Sequence, residues 1–267
     1  MRKYMKYNSE EWVIGGPNRA GNPFDDAVFS RISEAADRIQ QMSNEMDFIA
    51  VLAYNLKCFY DINKAKSPEG RTDFTRVNCC FSNYMNSFYT WKCFLNHKYD
   101  SFQSLHGKQK NDCIVYSFGD RLRNYTAHNA FAITKHRYDV INEKEYYIID
   151  SELLLQNEEW NKEVKIWLNE QAKNDTAIEA YMFASEFYQH CQEVQNELWA
   201  EQTQKIHDDL SAIFEILPTG FSNVYNVSIL SEDQTVHIGI GQIIAQFLKK
   251  AAYQYPKFIP DSYIGRF

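Results

Sequence analysis

Glycine and proline are scarce in this chain of 267 residues, which contains 10 glycines and 6 prolines. Sandwiches and barrels of short strands need many turns, so this scarcity argues against a loop-rich β fold. No apolar run approaches the length of a membrane-spanning helix, and the basic N-terminal segment lacks the apolar stretch of a signal peptide. The sequence therefore predicts a cytoplasmic protein without membrane contact.

Sites for metals and nucleotide cofactors are also missing from the sequence. No Cys/His cluster has the spacing of a zinc site, and there is no phosphate-binding loop or dinucleotide fingerprint. We therefore expect no metal and no cofactor, and we expect the six cysteines to be reduced and packed in helices. His106, near a helix end or in a loop, and His190, beside Cys191, are interpreted as ordinary structural residues.

The chain has the composition of a globular protein, because 45% of its residues are hydrophobic and 15% are aromatic. Its net charge is −7. An acidic protein repels nucleic acid at long range, so any function on RNA must depend on a local positive site.

Apolar residues recur at helical spacing through most of the chain. The pattern predicts a mainly α fold, a helical bundle with one or two small β-hairpin insertions. Asn44 is expected to cap the second helix, an aromatic stripe on the third is expected to form core, and a polar loop is expected through Gly107. The predicted helices cover about 25–42, 45–63, 72–98, 112–129, 160–173, 175–217 and 242–253, and the predicted strands 130–140, 145–150, 224–230 and 236–240.

Turn residues suggest how the chain is divided. Gly15-Gly16-Pro17 and Asn22-Pro23 predict an irregular segment over residues 1–24. Residues 25–217 are expected to form the bundle, with the hairpin near 130–150. Pro218-Thr219-Gly220 ends the last long helix, and residues 218–267 are expected to be an accessory segment packed on the same domain.

The fourth predicted helix carries the sequence Leu122-Arg123-Asn124-Tyr125-Thr126-Ala127-His128. An Arg-x4-His pair alone is a weak signal, but Asn directly after Arg makes it more specific, as does its place near the C-terminal end of a helix in an aromatic-rich bundle. This segment resembles the Arg-polar-x3-His motif of the HEPN-domain ribonucleases. The helix order fits that family from about residue 25 to 216.

The resemblance implies a helical bundle that dimerises, so that the two motifs meet at the interface. It also implies metal-independent cleavage of RNA, in toxin–antitoxin or phage-defence systems, with an antitoxin or a nucleotidyltransferase as a further partner. Arg123, Asn124 and His128 are then the expected catalytic residues. Arg121, Tyr125 and Lys135 are the expected substrate-binding residues.

The residue types suit this chemistry without the family. Cleavage needs the 2′-OH deprotonated and the 5′-oxygen protonated, and histidine performs general acid–base catalysis near neutral pH. A guanidinium binds phosphate oxygens in a fork, and Asn124 can donate to a phosphate oxygen or fix the imidazole tautomer. Arg123 and His128 lie about 140° apart around an ideal helix. Four arrangements would bring an arginine and His128 to one phosphate: a long Arg123 side chain that reaches around the helix, a distorted helix, a second protomer, or Arg121 in place of Arg123.

Two alternatives remain open at this point. The motif can be structural, with Asp120 paired to Arg123 on the surface and His128 stabilised by the helix dipole. The module can also bind RNA or a protein partner without cleaving. A ribonuclease needs a positive cleft around Arg121, Arg123 and Lys135, whereas a protein-binding module needs an exposed apolar patch.

Overall fold

The secondary structure of the chain is predominantly helical, as predicted, in a computed structural model that describes residues 3–7, 23–24, 26–64, 73–128, 131–141, 144–156, 160–174, 176–216, 227–230, 237–238 and 240–260. The helices are α1 (Asp26–Lys64), α2 (Phe74–Lys98), α3 (Phe102–Asp112), α4 (Ile114–His128), α5 (Ser151–Leu155), α6 (Lys162–Lys173), α7 (Ala180–Ile216), α8 (Ile240–Gln254) and a 3-10 turn (Pro256–Phe258). The strands are β1 (Lys3–Tyr7), β2 (Pro23–Phe24), β3 (Ile133–Asp139), β4 (Lys144–Ile149), β5 (Ile178–Glu179), β6 (Val227–Leu230) and β7 (His237–Ile238). No helix in this described part of the chain is long and apolar enough to cross a lipid bilayer.

The chain folds into two compact units. The first contains Met1–Asp47 and Trp199–Phe267, and the second contains Phe48–Leu198. Every site residue predicted from the sequence belongs to the second unit. The division of the chain into a bundle at residues 25–217 and an accessory segment at residues 218–267 stays a prediction.

The first unit contains a four-stranded sheet in the order β2-β1-β6-β7. The predicted strands near 224–230 and 236–240 are confirmed by β6 and β7. The prediction that residues 1–24 are irregular is wrong for β1 and β2. β1 pairs antiparallel with β6, from Tyr4 opposite Leu230 to Tyr7 opposite Val227. A strand whose partner lies at the far end of the chain is not recognisable from its local sequence.

The predicted break in the first long helix is also wrong, because α1 is continuous through Asn44. The Asn44 side chain accepts a hydrogen bond from Gln40 within the helix, at 2.8 Å, and so does not act as a cap. The next residue, Glu45, is fully buried and accepts a hydrogen bond from the Trp199 indole at 2.6 Å. A buried partner for Glu45 makes an unbroken helix favourable there.

The second unit has an aromatic core, as predicted for the stripe on α2. Asp73 caps α2 by accepting a hydrogen bond from the Arg76 backbone amide at 3.0 Å. Phe187 of α7 lies at the centre of the core, with its ring 4.7 Å from that of Phe88 and 5.6 Å from that of Tyr116. Such contacts add to the burial energy of the rings. The largest fully buried side chains of this unit are Phe59, Phe81, Tyr84, Phe88, Trp91, Phe102, Tyr116, Phe118 and Phe187.

A three-stranded antiparallel sheet, β3-β4-β5, follows α4. Its first two strands confirm the predicted hairpin. The predicted polar loop through Gly107 is wrong, because this segment forms helix α3. Phe102 and His106 lie one turn apart and are both buried, so two contacts with the core hold an otherwise polar segment in a helix.

Candidate active site on helix α4

Helix α4 positions the motif. It begins after Cys113, whose backbone is extended and whose carbonyl accepts a hydrogen bond from the Ser117 amide at 3.0 Å. It ends at His128, as the sequence predicts within two residues. Four apolar residues at helical spacing form one face of α4: Phe118, Leu122 and Tyr125 are buried, and Ile114 is half-buried. This face fixes the rotation of α4 about its axis, and therefore the direction of its polar residues.

Gly119 allows α4 to pack closely against α7. A Cβ atom added at this position would lie 2.4 Å from the Phe187 ring. Glycine destabilises the interior of a helix, so its presence here reflects the close approach of the ring. The lack of a side chain at Gly119 therefore lets α4, which carries the motif, pack closely against the aromatic core.

Arg123 is held by an aromatic ring of the neighbouring helix α2. Its guanidinium carbon lies 3.5 Å from the centre of the Tyr89 ring, which places the cation over the aromatic face. One terminal nitrogen donates to the Asn124 side chain at 3.3 Å. The buried Nε has no hydrogen-bond partner among the described residues. A buried donor without an acceptor is unfavourable, so a partner from outside the chain would stabilise it.

Asn124 and His128 are both exposed, and they share one face of α4 because they are four positions apart. Within the described ranges, no hydrogen bond joins Arg123 to His128. The helix is regular across the motif, so the predicted divergence of about 140° between these two residues persists. Helix distortion therefore does not bring the two side chains together, and one chain presents the motif as two separate parts.

Arg121 and Tyr125 differ in whether their side chains are available to bind a ligand. Arg121 is half-buried, and its Nε also lacks a hydrogen-bond partner in the described part of the chain. The Tyr125 ring is buried and stacks on Trp160 with a centroid distance of 5.9 Å. Burial, followed by the charge of Asp150, raises the pKa of Tyr125. Arg121 retains donors for a ligand, whereas the Tyr125 ring is occupied by core packing.

Lys135 on β3 is already paired. Its ammonium lies 2.8 Å from a Glu152 oxygen and 3.1 Å from an Asp150 oxygen, and the hydrogen bonds to these carboxylates, Glu152 first, raise its pKa. A surface cleft of about 210 Å³ lies beside this group, lined also by Gln171 and Thr176. The sequence signal missed here was the pair of acidic residues directly after β4. Their charges reduce the positive field expected from Lys135.

Asp120 does not pair with Arg123, so the surface pair considered from the sequence is wrong. The carboxylate is buried and contacts Lys92, Lys110 at 3.1 Å and His106 at 3.6 Å. His106, interpreted from the sequence as ordinary, is buried in α3 and hydrogen-bonds the Tyr116 hydroxyl at 2.9 Å. Burial alone would raise the pKa of Asp120, but the hydrogen bond from His106 and the charge of Lys92 outweigh it and hold the pKa well below its usual range. Arg123 is thereby left without a carboxylate partner from its own helix.

In the residues that the structure describes, no group of three His, Cys, Asp or Glu side chains is arranged to hold a metal ion. Comparisons of the chain with models of protein families, with curated proteins and with solved structures found no match. The residues of α4 and their surroundings are therefore the basis on which a function can be assigned.

Proposed function

We propose that this protein is a metal-independent endoribonuclease of the HEPN type, with Arg123, Asn124 and His128 as its catalytic residues. The observation that carries the proposal is the state of Arg123. Its guanidinium is held over Tyr89, keeps a buried Nε without an acceptor among the described residues, and lies beside the exposed Asn124. A phosphate group offers the anionic acceptors that such a guanidinium binds best.

The proposed reaction is attack of a ribose 2′-oxygen on the adjacent phosphorus. An imidazole takes the proton of the 2′-OH while the new P–O bond forms, and an imidazole returns a proton to the departing 5′-oxygen. Arg123 stabilises the charge that develops on the phosphorane oxygens, and Asn124 donates to one of them or orients the imidazole. The products are a 2′,3′-cyclic phosphate and a 5′-OH.

A second copy of the chain would complete this site. Arg123 and His128 diverge around one straight helix, so a single protomer does not converge both on one phosphate. In a two-fold symmetric dimer each α4 would face its counterpart, and two Arg123 and two His128 side chains would line one cleft as two composite sites, each with Arg123 of one chain and His128 of the other. That cleft would supply the local positive field that a net charge of −7 denies the whole protein.

A non-catalytic binding module is the second candidate, and a specific observation favours it. At the turn of the β3–β4 hairpin, the large apolar side chains of Tyr138, Val140 and Ile141 are exposed, Ile141 to 93%. Exposed apolar patches are typical of protein-binding surfaces. The pairing of Lys135 with Asp150 and Glu152 also weakens the positive cleft that a ribonuclease needs.

Incubation of the pure protein with total RNA in EDTA separates the two candidates. We expect wild-type protein to cleave RNA under chelation, and His128→Ala to lose at least about 100-fold of the rate because its acid–base group is gone. His97→Ala is the matched control, since His97 is likewise an exposed histidine near a helix C-terminus. Cleavage that requires added magnesium or manganese, or a His128→Ala rate equal to wild type, would contradict the proposal.

The folded state of each variant is checked by its thermal melt. His128 is exposed and has no hydrogen-bond partner in the described residues, so its truncation should change the free energy of unfolding by less than about 0.5 kcal/mol. Loss of cleavage together with loss of folding would instead support a structural role for His128. Absence of cleavage by every preparation, wild type included, would favour the binding module.

A further inference from the structure

The opposite end of α4 holds a second cluster of reactive groups. The Cys113 sulfur lies 3.1 Å from Nε2 of His190, and Nδ1 of the same imidazole lies 2.8 Å from a carboxylate oxygen of Glu193. Cys113 precedes α4, whereas His190 and Glu193 lie one turn apart on α7. The order is thiol, imidazole, carboxylate, with each neighbour within hydrogen-bonding distance.

Nδ1 of the imidazole lies beside two groups, the Glu193 carboxylate at 2.8 Å, which only accepts, and the Gln109 amide nitrogen at 2.9 Å, which only donates. The relay uses the tautomer with the ring hydrogen on Nδ1, which donates to Glu193. Nε2 is then the acceptor, and it faces the thiol hydrogen of Cys113. Gln109 donates to the same Glu193 oxygen at 3.0 Å and so holds the carboxylate in place. The two ring nitrogens point in different directions, so the sulfur and carboxylate oxygen lie on separate sides of the imidazole, as in a proton relay.

The backbone around the sulfur adds further donors. The Tyr116 amide in the first turn of α4 lies 3.5 Å from the Cys113 sulfur. First-turn amides have no acceptor within their own helix and stabilise negative charge. The cluster is also open to solvent, because Cys113 is half-buried and the side chains of His190 and Glu193 are 20% and 58% exposed.

We propose that Cys113, His190 and Glu193 form a second reactive centre, in which the Cys113 thiolate accepts acyl groups from small activated esters and thioesters. The proposal is independent of the ribonuclease function. Cys113 is the nucleophile, His190 is the general base and acid, and Glu193 and Gln109 are positioning residues.

The proposed reaction has two steps. Nε2 of His190 takes the thiol proton as the sulfur forms a bond to the acyl carbon, and the bond from that carbon to the leaving oxygen or sulfur breaks as the leaving group takes the proton from His190. Water then attacks the thioester, its proton passes to His190, and the carbon–sulfur bond breaks to return the thiol. The net change is ester or thioester and water to acid and alcohol or thiol. First-turn amides of α4 are suited to stabilise the oxyanion of each step.

The first test uses the wild-type chain, so it does not depend on whether a variant folds. The folded protein is treated with a limiting amount of iodoacetamide, and the alkylation rate of each cysteine is read from peptide masses. We expect Cys113 to react at least about 10-fold faster than Cys79, which is more exposed. Equal or slower reaction of Cys113 would mean that its hydrogen bond is only structural, and would overturn the proposal.

The second test uses p-nitrophenyl acetate as the acyl donor. We expect a burst of p-nitrophenolate close to one equivalent per chain and an acetyl group on the Cys113 peptide, with no burst for Cys113→Ser and an unchanged burst for Cys79→Ser. His190→Gln should slow acylation about 100-fold. Glu193→Asp should retain more of the rate than Glu193→Gln at the same melting temperature, which a structural role would not produce. Acetylation spread over several cysteines, or a burst that persists in Cys113→Ser, would overturn the proposal.

Discussion

The two ends of α4 differ in where their polar groups find partners. In the first half, the buried Asp120 contacts Lys92, Lys110 and His106, all within the same unit. In the second half, the described residues leave Arg121 and Arg123 with buried nitrogens that have no acceptor. Since buried donors are almost always satisfied, the second half is the end at which a ligand or a second chain is expected. One helix thus has a buried carboxylate that is paired within the chain in its first half, and buried donors without acceptors among the described residues in its second half.

Among changes that test this difference between the two halves of α4, we expect the largest effect on stability at Asp120. Asp120→Asn removes the charge that Lys92 and Lys110 share, and we expect the free energy of unfolding to fall by about 3 kcal/mol. Unfolding in urea at neutral pH measures this loss of stability. Arg123→Ala is the comparison at the other end of the helix, where we expect a loss of no more than about 1 kcal/mol. A smaller loss for Asp120→Asn than for Arg123→Ala would reverse the comparison.

The buried charge of Asp120 also makes the stability of the protein depend on pH. Because the folded-state pKa of Asp120 lies below its unfolded value, its stabilising contribution is present above the unfolded pKa of about 3.9 and declines as pH falls toward the folded value. Wild-type stability should therefore fall more steeply than that of Asp120→Asn as the pH is lowered from about 4 to about 2. Parallel curves for the two proteins would show that Asp120 is not held ionised in the fold.

An intermediate effect is expected where α4 meets α7. Gly119→Ala would push a methyl group into the Phe187 ring, and we expect it to lower the free energy of unfolding by about 1 to 3 kcal/mol. Gly107→Ala in α3 is the matched control, because no atom lies within 4 Å of its added Cβ. That change should raise stability by up to about 1 kcal/mol through helix propensity. Thermal melts of the two variants should therefore shift in opposite directions, and shifts of the same sign would contradict this account of the packing.

The smallest effect on stability, with a clear effect on activity, is expected at Tyr89. Its ring holds Arg123 but is itself 41% exposed. Tyr89→Ala should cost less than about 1 kcal/mol of stability. The same change should slow RNA cleavage about 10-fold, since Arg123 would no longer be fixed. Tyr89→Phe keeps the ring face and should cleave close to the wild-type rate. A Tyr89→Ala protein with full activity would mean that the stacking does not position Arg123.

The sequence was sufficient for α2, α4, α6, α7 and α8, because their apolar residues repeat at helical spacing over several turns, but it wrongly divided α1 at Asn44. It was not sufficient for β1, whose partner strand lies near the other end of the chain, or for α3, whose helix depends on the burial of Phe102 and His106. Asp120 was misplaced because local spacing suggests Arg123 as its partner, whereas Lys92 and Lys110 come from other helices. Cys113 and His190 were overlooked for the same reason: they meet only through the packing of α4 on α7.

The most direct test of the central claim, that two chains together complete the second half of α4, is to mix Arg123→Ala and His128→Ala subunits and measure RNA cleavage in EDTA. Each variant alone should be inactive. In a randomly assorted mixture, half of the dimers carry both variants and one of the two composite sites in each is intact, so about a quarter of the wild-type rate should return. No recovery from variants that exchange subunits, or a wild-type protein that light scattering shows to be monomeric at micromolar concentrations, would contradict the composite site.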